Sequence, residues 1–137
     1  MKHIAIYMRF FQLFAHNAHN YASKQTFFSD HEFFGELYGM AEGFYDSIVE
    51  RMIGIEEEFD PAQAQLKAAQ FLSDLKMDLS DNDACFEACL GIAQEVTKEL
   101  DAVCKSGKYS EGTRQMLGDI ADKLEVVIYK LKRRLKG

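Results

Sequence analysis

The sequence predicts an all-α protein: a bundle of four long helices, with a short extra helix in the connection between the second and the third. Apolar residues recur every three or four positions over four long stretches, which is the spacing of one helix face. Pro61 is the only proline, and no linker rich in serine, glycine and proline divides the chain. At 137 residues, positions 1–137 form a single domain long enough to bury a core.

The first two long helices are predicted in the N-terminal part of the chain. Apolar positions from Ile4 to Ala18 indicate a helix from residue 2 to about 24. Ser29 precedes Glu32 by three residues, which is the pattern of a capping box, so the second helix is expected to open there. Its apolar stripe continues to Phe59.

The connecting helix is predicted from its cap. Asp60 followed by Pro61 is typical of an N-cap with proline at the first helical position. This helix is expected to run from residue 62 to about 79, where the cap and turn formers of residues 80–83 follow.

The last two long helices complete the bundle. The third is predicted from about residue 84 to 105, with Cys85 and Cys89 facing inward as reduced, buried thiols. Ser110 is expected to cap the last helix, which runs to Lys136.

Charge and hydropathy exclude some classes of function. The net charge of −6 argues against a protein whose whole surface coats nucleic acid, because that binding neutralises phosphates. There is no run of about 18 apolar residues, so we expect no membrane span. The first residues do not resemble a targeting segment, and we expect a cytoplasmic protein.

The histidines are concentrated in one region of the chain. His16, His19 and His31, three of the four histidines, fall within sixteen residues. A single histidine is usually an ordinary core or surface residue. Three together, followed by Asp46 and Glu50 at helical spacing, are typical of a metal or catalytic site.

Distance decides how these groups could share an ion. His31 and Asp46 are about 22 Å apart along one helix, whereas metal–ligand bonds are about 2 Å. Two copies of the helix, packed antiparallel across a two-fold axis, could bring them together twice. Gly35, Gly39 and Gly43 each weaken the helix by about 1 kcal/mol, which suggests that another helix approaches closely.

The pattern of these residues resembles the Dps family of mini-ferritins. The resemblance is carried by His16-Asn17-Ala18-His19, by His31 twelve residues later, and by Asp46-x-x-x-Glu50 followed by Arg51. It implies a ferritin-like bundle in which His19 and His31 of one subunit, with His16 as an additional ligand, bind iron together with Asp46 and Glu50 of its neighbour.

The function implied by the resemblance is ferroxidase activity and iron storage. Fe(II) would be oxidised by hydrogen peroxide or dioxygen at inter-subunit sites, and the iron would be stored inside a homo-oligomeric shell, expected to be a dodecamer. Mixed imidazole and carboxylate ligands suit Fe(II), Mn(II) or Zn(II), and a redox role favours iron. Ferritins that keep all ligands in one bundle use Glu-x-x-His pairs, and this sequence has none.

Two positions depart from the family pattern. The family usually has an aspartate four residues after the second histidine, where this chain has Gly35, and an aromatic residue where it has Asn20. The site could then bind metal more weakly, bind one ion instead of two, or use His16. The alternative function is a non-catalytic structural or DNA-binding shell with a degenerate metal site.

A cluster of basic residues lies in the last eight positions of the sequence. Its members are Lys130, Lys132, Arg133, Arg134 and Lys136. Cations at a helix C-terminus interact favourably with the helix dipole. We prefer this interpretation because the net charge of the chain is negative. The functional alternative is weak DNA binding, in which many such tails around a shell contact phosphates together.

Overall fold

Five α-helices form the regular structure of residues 1–136, which are the residues that the computed structural model describes. They are α1 (Lys2–Tyr21), α2 (Phe27–Gly54), α3 (Pro61–Asp74), α4 (Asn82–Lys105) and α5 (Glu111–Leu135). Within this range there is no strand, so the prediction of an all-α fold is confirmed. The short helix also lies where it was predicted, between the second and third long helices.

The helices pack mainly as two consecutive pairs, α1 with α2 and α4 with α5. The central helix is α1, because it also contacts α3 and α4, while α2 and α5 touch only slightly. Aromatic rings from three helices fill much of the core, among them Phe11, Phe14, Phe34 and Phe86. None of the helices within residues 1–136 combines the length and apolar character needed to cross a bilayer.

Three of the predicted helix caps are present. The Asp60 side chain accepts hydrogen bonds from the backbone of Ala62 and Gln63, with Pro61 in the first turn. The side chain of Ser110 accepts one from the backbone of Thr113. In the predicted turn before α4, Asp81 is the residue that caps.

Three predicted boundaries were wrong. The stripe of the second helix was expected to continue to Phe59, but α2 ends at Gly54, and Glu56 just beyond it has a positive φ of 60°. Ser29 does not cap α2; it lies inside the first turn, where its hydroxyl donates to the carbonyl of Thr26 (3.2 Å). The helix starts earlier because Thr26 is held by a hydrogen bond to Asp30 (2.7 Å). At the other end of the connection, α3 stops at Asp74 instead of residue 79. Half-buried Leu75 follows the helix end, where its backbone N–H donates to the carbonyl of Leu72 and its side chain packs against the core.

A buried carboxylate joins three helix ends. Asp30, only 2% exposed, accepts hydrogen bonds from Arg134 Nη2 (2.9 Å), Arg134 Nε (3.1 Å), Thr26 Oγ1 (2.7 Å) and Asn82 Nδ2 (2.8 Å). Arg134 also donates to Asp83 (2.9 Å). The start of α2, the start of α4 and the end of α5 are therefore held at one point.

Asn82 extends this network to the connection between α1 and α2. Its side chain accepts a hydrogen bond from the backbone N–H of Ser23 (3.0 Å) and donates one to the Ser23 carbonyl (2.8 Å). The Ser23 hydroxyl donates to the carbonyl of Ser80 (2.7 Å). Because the connection is anchored to α4, the register between α1 and α2 is fixed.

We expect Asp30→Ala to lower the free energy of unfolding by about 3 kcal/mol, because it leaves the Arg134 guanidinium and the Asn82 amide without their shared partner. Urea denaturation is the measurement. The control is Asp122→Ala at an exposed position of α5, which should change stability by less than about 0.5 kcal/mol. Equal effects of the two substitutions would contradict the role given to Asp30.

The same carboxylate makes stability depend on pH. Burial raises the pKa of Asp30, but the hydrogen bonds from Arg134, Thr26 and Asn82 outweigh it and hold this pKa below the usual 3.8. The folded state therefore favours the carboxylate, and its contribution is complete above the unfolded pKa and is lost as pH falls through the lower folded value. Between about pH 4 and pH 2 we expect wild type to lose more stability than Asp30→Asn. Parallel stability–pH curves for the two proteins would contradict this.

Candidate metal site

Three histidines meet near the end of α1 and the start of α2. The imidazole rings of His19 and His31 stack with 3.7 Å between centroids and 21° between planes. The ring of His16 lies 6.3 Å from that of His19. His16 is exposed, and the other two are half-buried.

The stacked pair is held by reciprocal hydrogen bonds to the backbone. His19 Nδ1 donates to the carbonyl of His31 (2.6 Å), and His31 Nδ1 donates to the carbonyl of His19 (2.7 Å). A carbonyl oxygen only accepts, so Nδ1 carries the proton in both rings. In the neutral rings each Nε2 then has a free lone pair, which is the state in which imidazole binds a metal.

The two stacked rings cannot bind the same ion as they stand. A metal bonds to imidazole nitrogen in the plane of the ring at about 2 Å. The ring centroids are 3.7 Å apart and the planes are only 21° from parallel, so no point lies in both ring planes at that distance from both imidazoles. Two arrangements are therefore possible. Each imidazole binds a separate ion, or one imidazole binds an ion while the other holds the first ring in place by stacking on it.

Gly35 lies beneath the His19 ring. A Cβ atom at this position would come within 3.1 Å of His19 Cε1 and Nδ1, so glycine allows the imidazole to rest on the α2 backbone. The close approach expected from the glycines is thus found at Gly35, and α1 of the same chain makes it. A Cβ at Gly39 or Gly43 would meet nothing within 4 Å.

The predicted carboxylate ligands lie far from the histidines of the same chain. Asp46 and Glu50 are exposed on α2, and at 1.5 Å per residue they are about 22 and 28 Å from His31 along the helix. Within residues 1–136 no three histidine, cysteine or acidic side chains are grouped to hold a metal ion. One chain therefore brings together the imidazole part of the predicted ligand set without its carboxylates.

Sequence reasoning missed the aromatic surroundings of the histidines. Tyr38 stacks on His16 (4.2 Å between centroids, 20° between planes) and meets His19 edge-on at 5.4 Å. Phe27 stacks on His31 at 5.0 Å. The apolar periodicity of α2 already placed Tyr38 on its inward stripe, but periodicity within one helix does not show which residue of α1 lies opposite.

The C-terminal cations divide into two groups. Lys130, Lys132, Arg133 and Lys136 are exposed on or just after α5. Arg134 is half-buried, where it is ion-paired to Asp30 and Asp83 and its guanidinium lies 4.5 Å from the ring centroid of Phe86. Because Arg134 is already paired with two carboxylates, the other four are the cations that we expect any phosphate contact to involve.

No family model matches the chain, and neither a curated protein nor a solved structure matches it. Its function is therefore inferred from the geometry of its own residues, together with the resemblance of its ligand pattern to the Dps family.

The contact at Gly35 can be tested against a glycine in open space. In an exposed helix, glycine to alanine stabilises by about 1 kcal/mol, and we expect this gain for Gly91→Ala on α4, where a Cβ meets nothing within 4 Å. Gly35→Ala should gain less or destabilise, because the hydrogen-bonded His19 ring must move. Urea denaturation compares the two, and equal gains would show that the ring is not restrained.

Proposed function

We propose that this chain is the subunit of a Dps-type ferroxidase and iron-storage shell. Two subunits pair across a two-fold axis through α2, and Fe(II) is oxidised by hydrogen peroxide or dioxygen where the histidines of one meet Asp46 and Glu50 of the other. The observation that carries the proposal is the His19–His31 pair, whose Nδ1 atoms are both bonded to carbonyls, so that both Nε2 atoms are available to a metal.

The packing of the helices supports a ferritin-like arrangement. The two consecutive pairs, α1–α2 and α4–α5, are joined by a long connection that contains α3. Four-helix bundles of the ferritin type have one long crossover of this kind. We therefore infer the ferritin-like fold, and assembly into a hollow dodecamer follows from the family resemblance.

The exposed face of α2 supports a particular register for the two-fold pairing. Phe28 is 83% exposed and Ile53 is 66% exposed, and they lie within about 20° of each other around the helix. If two copies of α2 pack antiparallel about a point between residues 40 and 41, Phe28 lies opposite Ile53 of the partner. The same point places His31 opposite Glu50 of the partner.

The remaining features of this face agree with the same register. It places Gly35, beneath the His19 ring, opposite Asp46 of the partner. Gly39 and Gly43, which have open space around them, lie close to the centre, where the absence of a side chain allows two backbones to approach. One register thus buries the exposed apolar residues and completes the metal site.

The ligands suggest how the site works. One imidazole and two carboxylates supply three protein ligands, which leave positions open for the oxidant, as in other redox metal sites. The carboxylates favour Fe(III) over Fe(II) by their negative charge, and the backbone-bonded imidazoles hold the geometry. Each Fe(II) loses one electron to the oxidant, and the product Fe(III) is the material that is stored.

Mixing of two inactive variants tests whether the site is shared. The double variant His19→Ala/His31→Ala and the double variant Asp46→Ala/Glu50→Ala should each oxidise Fe(II) at the uncatalysed rate. Refolded together in equal amounts, they should recover about a quarter of the wild-type activity, because half of the pairs are mixed and each mixed pair has one intact site of two. The measurement is ferric absorbance after peroxide is added to anaerobic Fe(II).

The matched controls are His3→Ala and Asp122→Ala, at exposed positions of α1 and α5, which should keep full activity. Activity in either double variant alone, or no recovery on mixing, would contradict a shared site. An assembled but inactive wild-type shell would favour the non-catalytic alternative, in which Gly35 marks a degenerate metal site.

A further inference from the structure

We propose that the exposed face of α5 pairs antiparallel with the same face of a second copy of this chain, about a two-fold axis at Val126. The inference goes beyond the proposed function and does not rest on it, because no residue of this face is a proposed metal ligand or belongs to α2. It follows from the order of the charges along α5 and from two apolar side chains that lie among them.

The outward side of α5 contains two exposed apolar residues. The inward side is an ordinary apolar stripe, which includes the buried residues Leu117, Leu124 and Leu131. Val126 is 49% exposed and Tyr129 is 64% exposed, and both lie on the opposite side of the helix. Folding of a single chain therefore leaves both of them in solvent.

The charged residues around Val126 are separated by sign. Two carboxylates precede it and two cations follow it, all of them exposed and within about 40° of Val126 around the helix. They are Asp119, Asp122, Lys130 and Arg133. Lys123 lies farther out, about 60° from Val126, beside the groove between α5 and α2.

These four charges are not neutralised within the chain. Among residues 1–136, none of the four forms an ion pair. The nearest acidic and basic members, Asp122 and Lys130, are eight residues apart, which is about 12 Å along the helix. The helix dipole acts only over the first and last turns, so it does not explain Asp119 and Asp122 in the middle of α5.

An antiparallel second copy brings opposite charges together. With the axis at Val126, Arg133 lies opposite Asp119 of the partner subunit, because both are seven residues from the axis. Lys130 lies opposite Asp122 of the partner subunit, because both are four residues from it. Each pair occurs twice, as a two-fold contact requires. A parallel pairing would instead place each charge beside its own copy.

The same axis covers the exposed apolar residues. Val126 meets Val126 of the partner subunit at the centre of the contact. Tyr129 lies on the same side of the face as Asp122, so its hydroxyl can donate to Asp122 of the partner subunit. If the axis moved two residues towards the C-terminus, Arg133 would lie opposite Lys123 of the partner subunit. The charges therefore select the register centred on Val126.

The contact is expected to be sensitive to salt, because exposed charges are screened as ionic strength rises. The α5 face and the α2 face share no residue, so one chain can form both contacts. If the proposed pairing through α2 also forms, the α5 contact joins one α2-linked assembly to the next.

Disulfide cross-linking at the axis tests the pairing. Cys104→Ser first removes the half-buried native thiol. In this background Val126→Cys should form a disulfide-linked dimer under mild oxidation, because two residues at the axis of packed helices come within reach of a disulfide. Glu125→Cys, the neighbouring position about 100° around the helix, should remain monomeric on a denaturing gel without reductant.

Charge reversal in the Val126→Cys protein tests the register. Lys130→Glu/Arg133→Glu and Asp119→Lys/Asp122→Lys should each lower the cross-linked fraction at least fivefold, because each gives the face a single sign of charge. An equal mixture of the two should recover cross-linking as a heterodimer, since an acidic face then meets a basic one.

The matched control is Lys98→Glu/Lys108→Glu, at exposed positions outside α5, which changes the net charge as much as Lys130→Glu/Arg133→Glu does. It should leave the cross-linked fraction unchanged. Cross-linking at position 126 needs neither a metal nor the α2 contact, so its failure leaves the proposed function standing.

Three results would overturn the inference: equal cross-linking of Val126→Cys and Glu125→Cys, no cross-linking of Val126→Cys, or a mixture that does not recover. If Val126→Cys does not cross-link and Lys130→Glu/Arg133→Glu abolishes gel retardation of DNA, the basic half of the face binds phosphate instead of a second copy.

Discussion

The register between α1 and α2 depends on one buried polar network. Asp30 accepts from Arg134 at the end of α5 and from Asn82 at the start of α4, and Asn82 in turn holds both backbone groups of Ser23 between α1 and α2. Hydrophobic packing alone tolerates a helix sliding along its neighbour, but directed hydrogen bonds at a helix end do not. The stacking of His19 on His31 requires this register.

The predicted metal ligands lie apart within one chain because α2 is one continuous helix. A helix of this length separates His31 from Asp46 and Glu50 by several turns, and no bend brings them together. If a metal is bound by both groups, a second copy must supply half of the ligands. Folding of the chain and completion of the site are then two separate events, and the second depends on protein concentration.

Gly35 shows how a single position changes what the site can do. A side chain at this position would occupy the same space as the His19 ring, and glycine leaves that space to the ring. As a result, the two imidazoles stack closely with fixed tautomers, and position 35 has no carboxylate.

The amino-acid sequence by itself determined the helices, because periodicity and capping chemistry are local. It also singled out the cluster of His16, His19 and His31 and the distance along one helix from His31 to Asp46. Only the tertiary structure decided which residues of different helices are in contact. It shows that Asp30 is buried, that the His19 ring lies against Gly35, and that the Tyr38 ring stacks on His16. These facts depend on the register between helices, which is set by contacts between residues distant in the chain and leaves no local pattern.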